Sequence, residues 1–295
     1  MGEPVWTQKT LRHALAARGL RPRKGFGQHF LVDPNGCRAI VHAADLPPGA
    51  DVLEIGAGPG LLTVHLARVA CRVTAVEIDP DMAVLCREAL AGAPNVAVIE
   101  SSILDDRARI APAVPLALSH PPTLSPSHSP TLPLHVFGNL PYNLSVSILI
   151  ALLDWDRPVT QIVALVQREV GERLRARPGE EPYGPLSAVA RAFSDVKVLR
   201  AIPARVFWPA PRVESSLVQL RPKPNTAGRA RPSASSPSGD GRTAPRSSAS
   251  STSAPSRQPC LFPCPAAPGG RCSTPARRGG TASANFRAIF GPTGA

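Results

Sequence analysis

Between Phe137 and Asn143 the chain reads Phe-Gly-Asn-Leu-Pro-Tyr-Asn, which sets a carboxamide, a carbonyl beside a proline and a phenol ring within four residues, Asn139, Leu140, Pro141 and Tyr142. The Asn139 side-chain oxygen and a backbone carbonyl beside Pro141 can each accept one N–H of an exocyclic amine, while Tyr142 offers a face on which a planar base stacks. A base held in this way presents its amine nitrogen in one direction. The same residue types also build ordinary turns, so taken alone the stretch supports both readings.

A second cluster lies upstream, in Val52-Leu53-Glu54-Ile55-Gly56-Ala57-Gly58-Pro59-Gly60. An apolar strand that enters a glycine turn and leaves as an apolar helix over Leu61–Val69 is the nucleotide turn of a doubly wound sheet. The next apolar strand, Arg72–Glu77, ends in an acid suited to accept hydrogen bonds from both ribose hydroxyls of an adenosine-containing cofactor. No Gly-Lys-Ser/Thr follows the glycines, which excludes a P-loop. The spacing Gly-x-Gly-x-Gly is not that of a dinucleotide turn, and Glu54 brings a carboxylate that would repel a pyrophosphate. S-adenosylmethionine, with an ammonium and a sulfonium, suits these residues better than a nicotinamide.

The other elements must position these two clusters. A short basic helix is expected over residues 4–18. The segment Arg21-Pro-Arg-Lys-Gly-Phe-Gly-Gln-His-Phe-Leu31 then reads as a loop able to lie over a ligand, its basic start free to meet phosphates. Helices are expected from Asp33 to about residue 44, over Asp81–Ala91, over Val146–Trp155 and from Gln167 towards Arg177, and strands over Val96–Ile99, Leu134–Phe137 and Gln161–Val166. Asp195–Ile202 and Val213–Leu220 alternate well enough for a closing β-hairpin. Between them Phe207 is either the second aromatic wall of the base pocket or a core phenylalanine. Residues 112–135, rich in Pro, Ser and Thr, read as a solvated low-complexity loop ahead of the fourth strand, with His120, His128 and His135 exposed.

Composition bounds the class. The chain has 295 residues, 43% of them hydrophobic, and a net charge of +12. Most of that excess lies beyond residue 222, in a Pro/Ser/Arg-rich stretch read as a disordered tail that either attaches weakly to RNA or is a solvated end. No apolar run is long enough to span a bilayer and no signal-peptide pattern opens the chain. The expectation is a soluble cytoplasmic protein, with mitochondrion or plastid as the alternative compartment. Cys37, Cys71 and Cys86 read as free thiols, and Cys260, Cys264 and Cys272 lack a fourth ligand at zinc-site spacing, so no metal site is expected.

Four segments in order, Gly-Gln-His-Phe-Leu at 27–31, Glu-Ile-Gly-x-Gly-x-Gly at 54–60, Asn-Leu-Pro-Tyr-Asn at 139–143 and Val-Phe-x-Pro-x-Pro-x-Val at 206–213, resemble the KsgA/RsmA family of small-subunit ribosomal RNA adenine dimethyltransferases over residues 21–222. The resemblance implies an α/β, Rossmann-like class I methyltransferase with a seven-strand sheet that uses S-adenosylmethionine. Its substrate would be two adjacent adenines near the 3′ end of small-subunit rRNA in the immature small ribosomal subunit, on which it would act as a monomer. It places cofactor contacts on His29, Leu31, Gly56, Glu77, Ser102 and Asn139, and the base site on Asn139, Leu140, Pro141, Tyr142 and Phe207. Ser102 stands where the family usually has an acid, and His29 where many members have Asn. The family's small C-terminal helical domain is not recognisable after residue 222. The expected organisation is therefore a basic extension over 1–24, a methyltransferase domain over 25–222 interrupted at 112–135, and a tail over 223–295. A non-catalytic nucleic-acid-binding paralogue, like the related mitochondrial transcription factors, is the alternative of another class. A methylase of large-subunit RNA is the alternative within the same chemistry.

Overall fold

The computed structural model describes residues 6–119 and 134–223. The tail expected over 223–295 lies, apart from Lys223, outside the described residues, as do His120 and His128. In chain order the elements are α1 (Gln8–Ala17), β1 (Phe30–Leu31), α2 (Pro34–Ala43), β2 (Asp51–Ile55), α3 (Leu61–Leu66), β3 (Arg72–Glu77), α4 (Pro80–Ala89), β4 (Val96–Glu100), α5 (Ala113–Ser119), β5 (Leu134–Asn139), α6 (Ser145–Leu153), β6 (Val159–Gln167), α7 (Arg168–Arg175), α8 (Pro185–Phe193), β7 (Ser194–Ile202), β8 (Phe207–Trp208) and β9 (Ser215–Pro222).

Local sequence explains most of the starts and stops. Asp33 caps α2 and Asp79 caps α4, each followed by a proline in the first turn, where the missing N–H costs nothing. β2 and β3 are buried along their whole length, as strands covered by helices on both faces must be. Gly56, Gly58 and Gly60 all have positive φ (70°, 55° and 88°), so the turn after β2 follows a path that side-chain-bearing residues resist.

The main sheet has seven strands in the order β4-β3-β2-β5-β6-β9-β7. β4 through β6 are parallel, and β9 pairs antiparallel with both β6 and β7. The chain works outward from β2 to β4 and then returns to the other side of β2 as β5. That reversal opens a crevice at the carboxyl ends of β2 and β5, where ligands bind in open α/β sheets. One face of the sheet packs on α1 to α4 through residues such as Leu11, Leu15, Ile40, Leu62 and Leu85, and the other on α5 to α8 through Leu118, Ile148, Leu149, Leu174 and Leu186.

Three features were not read from the sequence. First, the stretch read as a loop from residue 112 opens on a helix: α5 buries Val114 and Leu118, spaced i, i+4, while the strand expected from Leu134 is present as β5. Its prolines obscured that pair, although Pro115 sits in the first turn, where a proline is tolerated. His135 is a correction of the same kind. It lies inside β5 and is only 5% exposed, because its neighbours Leu134 and Val136 set a strand covered on both faces. Second, α8 forms on small residues with a modest apolar stripe, Leu186 and Ala190. Third, β1 and β8 pair antiparallel, Phe30 with Trp208 and Leu31 with Phe207, a match between two dipeptides far apart in the chain.

Candidate active site

Every sequence-predicted strand-end residue sits on one edge of the sheet. Gly56 follows β2, Glu77 ends β3, Ser102 follows β4 and Asn139 ends β5. The end of β5 comes close to β2 because residue 138 is glycine: a Cβ there would lie 2.6 Å from Leu140 Cδ2 and 3.0 Å from the Ile55 carbonyl oxygen. A Cβ on Gly56 would in turn stand 3.6 Å from the Asn139 carbonyl oxygen. The glycine turn and the Asn-Leu-Pro-Tyr stretch are therefore direct neighbours.

The Gly-Gln-His-Phe-Leu segment joins them from above. Asn139 Nδ2 donates to the His29 carbonyl at 2.6 Å, which commits the amide N–H₂ to the loop and leaves Oδ1 as an acceptor. His29 Nδ1 bonds the Pro209 carbonyl at 2.6 Å, so the proton of that bond is on Nδ1. The His29 ring stacks on Tyr142 with centroids 5.5 Å apart and planes at 24°. Tyr142 is pinned at its other end by its hydroxyl, 2.8 Å from Ser215 Oγ. Burial raises its pKa, with the Ser215 bond acting against it, so the phenol stays neutral in the physiological range. Gly27 lies flat on the motif, where a Cβ would touch Asn143 Oδ1 and Pro141 Cβ at 3.4 Å. At its start the loop is clipped by Arg23 to Asp79 and Asp81 (2.7 and 2.5 Å) and by Gln28 Nε2 to Asp79 at 2.7 Å.

The two carbonyls beside Pro141 differ. That of Pro141 accepts Leu144 N–H at 3.0 Å, whereas that of Leu140 has no hydrogen bond among the described residues. Leu140 and Asn139 are thus the two acceptors left open at the end of β5.

At the ends of β3 and β4, Glu77 is 6% exposed, and its two oxygens accept the backbone N–H of Gly58 (2.7 Å) and of Asp79 (2.8 Å). Burial raises its pKa, while those amides and that of Ile78 favour the ionised form. Ser102 Oγ donates to the Leu104 carbonyl at 2.6 Å and accepts Leu104 N–H at 3.2 Å. Its proton is spent locally, and what it can still offer is a lone pair. Leu31 and Phe207 face each other in the β1–β8 pair and are buried in the core at 4% and 3% exposure.

The residue that sequence reasoning missed is Trp208. It lines a groove of about 1120 Å³ that runs between the end of α1 and the 208–213 loop up to His29 and Tyr142. Phe207 does not line this groove, because adjacent residues of a strand point to opposite sides. The sequence around it offers basic residues and prolines but no signal that selects Trp208 over Phe207. Gly56, Glu77 and Ser102 lie off the groove, and Asn139 with His29 forms the boundary between the two sides.

Glu54 departs from the sequence reading. It shares a side of β2 with Val52 and lies under the helices, 1% exposed, hydrogen-bonded by Thr63 and with Oε2 lacking any partner. Burial pushes its pKa up to about 8, with Glu77 adding to the rise and Thr63 opposing it. At neutral pH the carboxyl is mostly protonated, so its charge no longer argues against a pyrophosphate; the glycine spacing still does. A raised folded-state pKa means that the folded chain holds a proton the unfolded chain has lost, so this group makes stability fall as pH rises from about 4.5 to about 8. Glu54→Gln should remove up to about 1.4 kcal/mol of that loss per pH unit. In thermal melts the variant should therefore gain most over wild type near pH 8 and little near pH 5. Equal shifts at both pH values would contradict the buried neutral carboxyl.

Residues 19–231 match the family model described as ribosomal RNA adenine dimethylase. The chain is 37% identical over 218 residues to the ribosomal RNA small subunit methyltransferase A of Phenylobacterium zucineum, covering 74% of this chain and 70% of that protein. It is 39% identical over 229 residues to the protein of the same name from Deinococcus radiodurans, covering 76% and 71%. Among solved structures it resembles a dimethyladenosine transferase from Plasmodium falciparum (TM-score 0.54, 27% identity, 66% of this chain and 64% of that one). It also resembles the 23S rRNA methyltransferase ErmE (TM-score 0.53, 27% identity, 66% and 70%).

Proposed function

This chain belongs to the ribosomal RNA adenine dimethylase family, and on that premise we propose that it moves methyl groups from S-adenosylmethionine to the exocyclic amines of two adjacent adenines near the 3′ end of small-subunit rRNA. The reading extends to a monomer working on the immature small subunit in the cytoplasm. Relatives named for the small subunit support that choice over large-subunit RNA, and no helix among the described residues is long and apolar enough to cross a membrane.

The observation that carries the reading is the commitment of the Asn139 N–H₂ to the His29 carbonyl. It occupies Nδ2 and leaves Oδ1 to accept, and with the Leu140 carbonyl this gives two acceptors for the two N–H bonds of an adenine amine. Both pull on the protons, concentrate density on nitrogen and stabilise positive charge as it forms there. The N–C bond forms as the donor's S–C bond breaks with its electron pair left on sulfur, and the cationic nitrogen then sheds its proton to water, so no side-chain base is required. Tyr142 supplies the stacking surface. One of its faces already carries His29, so the adenine takes the other.

The cofactor side fits the proposed donor. Glu77 holds spare lone pairs at a strand end for a ribose diol, Ser102 offers a lone pair for an adenine amine, and the turn at Gly56 lies directly beside the end of β5. We assign Gly56, Glu77, Ser102, His29, Leu31 and Asn139 to holding it, with Phe207 a buried support of the base site. When bound, S-adenosylmethionine supplies an electrophilic methyl group on sulfur.

The test is to incubate the protein with immature small subunits and methyl-labelled donor and to map the modified nucleotides. Label on two adjacent adenines near the 3′ end is expected. Tyr142→Ala should reduce it by at least about tenfold, as befits the loss of one base-stacking surface, while donor binding persists. Donor binding with no label transferred to any RNA would favour the non-catalytic alternative.

A further inference from the structure

We propose that the groove beside Tyr142 is a track for single-stranded RNA: it carries the phosphates flanking the target adenine, with α1 and the 208–213 loop as its two walls. This rests on the reading of the chain as an RNA methyltransferase but assigns a surface which that reading does not need.

Four cations line the groove, Arg12, Arg21, Lys24 and Arg212, and none of the residues lining it is acidic. All four are exposed, and none has an ion pair among the described residues. Their neighbours behave differently. Arg18 pairs with Glu88, Arg23 with Asp79 and Asp81, and Arg168 with Glu172 and Glu214. These three are neutralised by acids, whereas the four groove cations face no acidic lining residue, which leaves a concentrated positive strip where a polyanion fits.

The choice of RNA over an acidic protein comes from the aromatic rings set among these charges. Trp208, Tyr142 and His29 all line the groove, and the Arg12 guanidinium lies 5.9 Å from the Trp208 ring centroid. Cations alternating with stacking surfaces are what a single strand requires, because phosphates and bases alternate along it. The wall is built to stay in place. α1 is fixed at its start by Trp6, whose Nε1 donates to the Pro59 carbonyl at 2.7 Å, and through its length by the buried Leu11 and Leu15. The strip is thereby tied to the same glycine turn that faces the cofactor.

The experiment uses the full chain, a labelled 12-nucleotide single-stranded RNA with two adjacent adenines, and anisotropy titrations between 50 and 200 mM KCl. Two substituted proteins are compared, Arg12→Gln with Arg212→Gln, and, as a charge-matched control outside the groove, Arg107→Gln with Arg177→Gln. The groove double variant should bind about tenfold more weakly, and its slope of log K against log salt should be shallower by about 1.4, roughly 0.7 per lost phosphate contact. The control should stay close to wild type. Equal affinity and slope in the two double variants, or a polyglutamate peptide competing as well as unlabelled RNA, would overturn the proposal.

Methyl transfer to small subunits is followed separately on the same proteins. If the groove variant loses RNA affinity but no protein in the set transfers label, the track stands and the reaction falls. If wild type transfers label and the groove variant matches its kcat/KM, the reaction stands and the track falls.

Discussion

Asn139→Ala should lower the rate of methyl transfer by about 10²–10³, the usual effect of deleting one preorganised hydrogen-bonding group from the reacting centre. The loss should appear in single-turnover measurements at saturating donor and RNA, as expected of an interaction that strengthens while charge develops on nitrogen. Two roles meet in this side chain, since its Nδ2 also tethers the His29 carbonyl at 2.6 Å. Asn139→Asp separates them. It keeps an acceptor towards the substrate but sets a carboxylate oxygen against the His29 carbonyl, so the loop loosens. Its turnover should exceed that of the Ala variant, and donor affinity should fall because the loop carries two of the proposed donor contacts. Asn139 is only half-buried, so both proteins should remain folded. A rate within about threefold of wild type for Asn139→Ala would remove Asn139 from the chemistry.

How much of this was legible before the structure depends on how local each signal is. The glycine turn could be read because three left-handed residues after an apolar strand have few other uses, and Glu77 followed from it by its place at the end of the next strand. The Asn-Leu-Pro-Tyr stretch could be read because acceptors and ring lie within four residues. What escaped were contacts between distant segments. Nothing in the types of Phe207 and Trp208 says which of them faces the groove; that is decided by the pairing of β8 with β1, which turns Phe207 into the core. Glu54 was misjudged for a subtler reason. Its position just before the turn suggested the ligand edge, yet strand parity sets it on the side of Val52, under the helices, and parity was there to be counted. In α5 the prolines spoke louder than one apolar pair, although Val114 and Leu118 reach full or nearly full burial.

The opposite edge of the sheet carries the largest expected effect on stability. Asp51 opens β2 and is 3% exposed. It accepts two hydrogen bonds from the Arg72 guanidinium, one from Nε at 2.8 Å and one from Nη2, while Arg72 Nη1 reaches the Leu118 carbonyl at 3.1 Å and ties α5 to the strand edge. Arg157 Nη2 comes within 3.7 Å of the same carboxylate. Its Nε and Nη2 have no hydrogen-bond partner, and burial lowers its pKa against the pull of Asp51. One carboxylate therefore serves two guanidinium groups, that of Arg72 buried and that of Arg157 largely so. Asp51→Ala leaves both uncompensated, which should cost about 3–5 kcal/mol. For a domain of this size that corresponds to a fall in melting temperature of roughly 10 °C or more. Arg157→Met should behave in the opposite sense, costing little or even stabilising, because it removes a desolvated cation with unused donors and keeps an unbranched apolar stem. In the Arg157→Met background Asp51→Ala should cost less than it does alone, and the difference between the two costs measures how far Arg157 leans on that carboxylate. β2 separates this cluster from the methyl-transfer edge by its five residues, roughly 17 Å at strand rise. Below its melting transition the Asp51→Ala protein should thus transfer methyl groups at close to the wild-type rate. A melting temperature within about 2 °C of wild type would show that water or relaxation already screens the pair, and an activity lost well below the transition would show that the two edges of the sheet are coupled.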